Sequence, residues 1–90
     1  MNKAQRVSVE RIRQNAAIIE DLVPIEVKRF SQQRRKTIEN AYASITTHAF
    51  KLGLPQPPRL SYLYDPAQYL DNTRQLVAHL QAYERSEAKG

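Results

Sequence analysis

Apolar residues recur at intervals of three and four along most of the chain, which is the spacing of one face of an α-helix. In the first segment Val9, Ile12, Ala16, Ile19 and Val23 form such a stripe, with Val7, Ile18 and Leu22 widening it on one flank. Asn2 followed by Gln5 has the form of a capping box and places the start of this helix near residue 3. Pro24 then interrupts the pattern, because it has no N–H to donate and its ring crowds the carbonyl of Glu20. The apolar phase runs on through Val27 and Phe30, as in a kinked helix. Asp21, however, is a good N-cap residue, and a turn here lets the first segment fold back to bury its stripe. The expectation is a break at Pro24, with a first helix over 3–22 and a second over 25–52.

In the second helix Val27, Phe30, Ile38, Ala41, Ile45, Ala49 and Leu52 fall within an arc of about 100°. Gly53 suits the position just past its end, and Pro55 prevents extension. Residues 53–65 read as a loop. Prolines at 55, 57 and 58 favour an extended path, and Leu60, Tyr62, Leu63 and Tyr64 are too apolar to stay together in water. A third helix over 66–84 has the clearest start in the chain, with Asp65 as N-cap, Pro66 at the first position and Gln68 at the third. Tyr69, Leu76, Leu80 and Tyr83 make its stripe, with Leu70 and Val77 alongside. Fraying is expected after Tyr83, since ERSEAKG holds one apolar residue, Ala88. Together these elements predict an all-α fold, a small three-helix bundle, with residues 1–90 as a single domain.

One alternative has a different functional consequence. Arg6-Val7-Ser8-Val9-Glu10 alternates like a short strand. A strand followed by two helices resembles the element order of ribbon–helix–helix DNA-binding dimers, a resemblance confined to residues 5–50.

Composition removes several function classes. The absence of cysteine excludes disulfides, thiolate metal sites and cysteine nucleophiles. No apolar run approaches the 18 or so residues of a membrane span, and no apolar stretch follows the basic N-terminus as a secretory signal requires. A cytoplasmic protein without membrane association is expected. His48 and His79 have no acidic or histidine partner at helical spacing, so no metal is expected. No glycine-rich phosphate loop, nucleophile elbow or HExxH run occurs, so neither a cofactor nor catalysis is expected.

Charge is the one specific signal. The net charge is +5 with an isoelectric point near 9.8. The window KRFSQQRRK, residues 28–36, carries five basic residues and no acid, while the remaining nine basic residues are matched by nine acidic ones. Such a local excess points to an anionic partner. On one continuous helix Lys28, Arg29, Gln32, Arg35 and Lys36 share an arc of about 120°, away from the apolar stripe. That face fits a phosphate backbone, with guanidinium forks gripping phosphate oxygens and Gln32 reading base edges. Arg34 instead projects into the apolar stripe, between Phe30 and Ile38, where it needs a partner. Glu20 or Asp21 can supply one, or Arg34 meets a second chain. The leading expectation is a small regulatory protein that binds nucleic acid through this face. The alternative is an adaptor or inhibitor that docks on an acidic protein through the same face and the loop around Arg59, Tyr62 and Tyr64. A 90-residue chain has a thin core, so a homodimer or membership of a larger complex is also expected.

Overall fold

The computed structural model describes residues 1–61 and 65–89. They form three helices, α1 (Lys3–Lys28), α2 (Gln32–Leu52) and α3 (Pro66–Lys89), with no strand among them. This is the all-α three-helix bundle the pattern predicts. Residues 6–10 are helical, so the strand needed for a ribbon–helix–helix arrangement is not there.

α1 begins where expected. Asn2 and Gln5 exchange side-chain and backbone hydrogen bonds, each 2.8 Å long. It does not end at Pro24, however, but continues to Lys28. A proline in a helix removes one backbone bond and crowds one carbonyl, and the burial of Ile19, Val23 and Glu26 along the same face outweighs that local cost. The break falls instead at residues 29–31. Arg29 and Ser31 are both extended, and the Ser31 hydroxyl caps α2 by accepting the Arg34 N–H at 3.3 Å. α2 therefore starts at Gln32 rather than near Ile25. Asp21 lies inside α1 and caps nothing.

Cross-helix bonds fix the topology. Ser8 meets His48, Asn15 meets Ser44 and Glu26 meets Arg34, so α2 runs antiparallel to α1. Arg13 pairs with Glu84 and Glu20 with Arg74, so α3 is also antiparallel to α1. α2 and α3 are thus parallel, so the chain has to return along the bundle between them. Gly53 starts the return in the left-handed region (φ 72°), where a side chain would be strained. The Tyr42 hydroxyl then donates to the Pro58 carbonyl at 2.5 Å, and Pro57 is buried. The proline segment so packs back onto the helices, as its composition predicts. The molecule measures 45 × 20 × 19 Å with a radius of gyration of 13.4 Å, above the roughly 12 Å of a rounder chain this size.

The core comprises the predicted stripes of all three helices, from Val9, Ile12, Ile19 and Val23 through Ile38, Ile45 and Ala49 to Tyr69, Leu76 and Leu80. Tyr42 and Tyr69 meet edge to face with centroids 5.0 Å apart. Three expectations fail at its margins. Val27 and Phe30, read as core, are 55% and 70% exposed, because Val27 lies in the last turn of α1 and Phe30 in the break itself, rather than inside a second helix. Val7 and Ile18, read as widening the stripe, are also exposed. α3 does not fray after Tyr83 but reaches Lys89, with Glu84 tied to Arg13 on α1. At the other end of α3, Asp65 caps by accepting the Ala67 N–H at 2.9 Å.

Candidate functional site

The basic window occupies the elbow between α1 and α2. Its organiser is Glu26, a carboxylate in the last turns of α1 with a fully buried side chain. An acid at a core position is costly unless charge and hydrogen bonds surround it. Here Oε1 accepts the Ser31 N–H and the Arg34 Nε–H, both at 3.1 Å, and Oε2 accepts the Arg35 Nε–H at 3.2 Å. The carboxylate also lies at the N-terminus of α2, where the helix dipole favours an anion. Arg34 reaches further, donating from Nη2 to the Arg29 carbonyl at 2.7 Å. The elbow is in this way tied from both sides of the turn.

This arrangement redistributes the predicted site. Lys28 ends α1, Arg29 is its C-cap, and only Gln32, Arg35 and Lys36 lie on α2. The five residues therefore do not share one helix face, since the 100° step per residue lapses across residues 29–31. Arg35, read as a solvent-facing phosphate contact, is instead drawn against Glu26, with its side chain 15% exposed. Arg34 is 22% exposed and paired internally as one reading required, but with Glu26 rather than Glu20 or Asp21. Glu20 is engaged elsewhere: the Arg74 guanidinium donates to it twice, at 2.8 and 3.1 Å, and holds its carboxyl below the usual carboxylate range.

The turn brings other groups to the tip. Lys28, Arg29, Gln32, Gln33 and Lys36 are exposed around Phe30, whose ring stands largely in solvent. The Arg35 guanidinium lies 5.8 Å from the centroid of that ring, a cation–π contact that steadies it. An exposed aromatic ring beside a tethered guanidinium, with exposed cations close by in sequence, has the chemistry to meet planar, negatively charged ligands.

Elsewhere the candidates are less convergent. Arg59 is exposed on the rim of an open groove of about 700 Å³, walled by Glu39, Tyr42, Pro57, Leu60 and Tyr69. Tyr62 and Tyr64 lie outside the described residues. Burial raises the hydroxyl pKa of Tyr42, against the lowering effect of the Asn72 amide that donates to it. Burial, and then the Glu39 carboxylate, raise that of Tyr69, whose buried hydroxyl has no hydrogen-bond partner among the described residues. His48 Nδ1 lies 3.0 Å from the Ser8 hydroxyl. That serine is buried, and burial followed by Lys51 and Arg11 depresses the pKa of His48, so the pair joins α1 to α2 rather than forming an exposed nucleophile. Among the described residues no three His, Cys, Asp or Glu groups converge as metal ligands, and no helix is long and apolar enough to cross a membrane. No family model matches the chain, and no curated protein and no solved structure matches it.

Glu26 is the residue the pattern did not reveal. Its signal was present, seven residues after Ile19 on the buried face of α1 and eight before an arginine already placed in the stripe. Starting the second helix at Ile25 put it in the wrong element.

Proposed function

We propose that the protein is a small non-enzymatic regulator that binds single-stranded nucleic acid at its α1–α2 elbow. One observation carries this reading: Phe30 is exposed at the α1–α2 turn, within a few residues of the exposed Lys28, Arg29 and Lys36. Unpaired bases stack on aromatic rings and guanidinium planes, while lysine and arginine neutralise the adjoining phosphates. A duplex offers its bases only edge-on in the grooves, so a blunt turn with an upright ring suits a strand or loop better than a major groove. Gln32 and Gln33 are exposed beside the ring and can bond to splayed base edges.

A second reading rests on Val27, which is exposed at the same end. Apolar Val27 and Phe30 flanked by cations also fit an acidic protein surface with apolar side chains, through contacts of the hot-spot kind.

Anisotropy titrations at low salt with a labelled single-stranded RNA, and with the corresponding duplex, separate the two. The expected result is tighter binding of the single strand, weakened by about 1–3 kcal/mol in Phe30→Ala. Preference for the duplex with no effect of Phe30→Ala defeats the stacking reading, and no binding to either leaves the acidic protein partner.

A further inference from the structure

α1 carries a second apolar stripe, of which Leu22 packs against the core and the rest stays in solvent. Val7, Ile18 and Ile25 are 45%, 37% and 50% exposed, and Leu22 is half-buried. At 100° per residue these four and Arg11 fall within an arc of about 60°, rotated roughly 140° from the stripe that faces the core. α3 packs on the other side of α1, through Arg13 and Glu20, and α2 lies to one flank of the stripe, through Ser8, Asn15 and Glu26. An exposed helix face with apolar residues at heptad-like spacing is a seam for another helix.

We infer that this seam is covered by a second copy of the chain, with the two α1 helices packed antiparallel about a two-fold axis at the level of Ala16. In that orientation the charges on this face are complementary. Val7 then faces the second copy's Ile25, Gln14 faces its Ile18, and Arg11 faces its Asp21, each contact occurring twice as two-fold symmetry demands. A parallel pairing instead stacks Arg11 on the second copy's Arg11, which is repulsive. Asp21 is exposed. Lys3 and Arg29 come together at the ends of the seam, where both are exposed and turn to solvent.

The size of the seam sets its strength. A 26-residue helix is about 39 Å long and offers a strip about 10 Å wide, on the order of 400 Å² per copy. The total of about 800 Å² falls short of the roughly 1,000 Å² of a stable interface, so the dimer is a weak, transient one. The two elbows lie at opposite ends of such a dimer and stay open. The inference is therefore independent of what the elbow binds.

Sedimentation equilibrium of the full chain at physiological salt, without nucleic acid, tests it. The expected result is a monomer–dimer equilibrium. Ile18→Asp should weaken it roughly 100-fold, because a charge enters the seam at two symmetry-related places, each worth about tenfold. The helical circular dichroism should not change. Arg11→Glu and Asp21→Arg should each weaken association, and the two together should restore it. A monomer at every concentration overturns the inference. So does a dimer indifferent to Ile18→Asp, and failure of the charge exchange to restore association overturns the antiparallel register.

Discussion

Replacing Glu26 with alanine removes the one acceptor shared by Ser31, Arg34 and Arg35. Removing one partner of a buried ion pair costs about 3–5 kcal/mol when the other charge stays buried. The two arginines keep 22% and 15% of their side-chain surface in water, so each can turn partly outward, which places the cost near the lower end, about 3 kcal/mol. Glu26→Gln keeps the shape and one acceptor oxygen but loses the charge, and should cost about 1.5–2 kcal/mol. A small domain has about 5–15 kcal/mol of net stability, so the alanine variant stays folded in the cold but melts early. Urea unfolding followed by circular dichroism gives both values, provided the denaturant slope is the same as for the unaltered chain. A loss below about 1 kcal/mol for Glu26→Ala would show that the elbow is held by chain connectivity and not by this carboxylate.

Three further outcomes follow from the fold. Pro24→Ala should raise stability by up to about 3 kcal/mol in thermal or urea unfolding, because α1 already passes through this position and regains a backbone bond; a loss instead would mean that the proline shapes the helix. Tyr42→Phe should cost about 1–3 kcal/mol, since it leaves the Pro58 carbonyl and the Asn72 amide without their shared hydroxyl, and it should increase amide exchange in residues 54–60. Lowered in the folded chain from its ordinary 6.5, the His48 pKa makes the unfolded chain bind more protons just below that pH. His48's contribution is therefore complete above about pH 6.5 and is lost as pH falls through the depressed folded value, and His48→Gln should flatten that part of the stability–pH curve.

The three apolar stripes were readable because helical periodicity is local: Val9 through Val23, Ile38 through Ala49 and Tyr69 through Leu80 each need only their own neighbours to be recognised. The caps at Asn2, Asp65 and Gly53 are local in the same way. The break was not readable at its true place. Pro24 is a strong local signal with a cost of a few kcal/mol, whereas the turn at 29–31 depends on Glu26 meeting Arg34 and Arg35 after the chain has reversed. The basic face was misjudged for the same reason, since a wheel drawn across residues 29–31 assigns Lys28 and Lys36 to one helix. The length of α3 and the parallel course of α2 and α3 depend on Glu84 with Arg13 and Arg74 with Glu20, pairs separated by 71 and 54 residues. No local pattern marks such pairs in advance.

The salt dependence of single-strand binding by the unaltered chain, Lys36→Gln and Arg35→Gln, compared under conditions where all three are folded, tests the elbow most directly. With Lys28, Arg29 and Lys36 as the phosphate contacts, log affinity should fall with log salt at a slope of about −2. Lys36→Gln should reduce that slope by about 0.7, while Arg35→Gln should leave it unchanged, because that guanidinium is held by Glu26 and not by phosphate. Equal reductions for the two variants would mean that Arg35 leaves the carboxylate to meet the ligand, and a slope near zero would mean that the elbow does not bind a phosphate backbone at all.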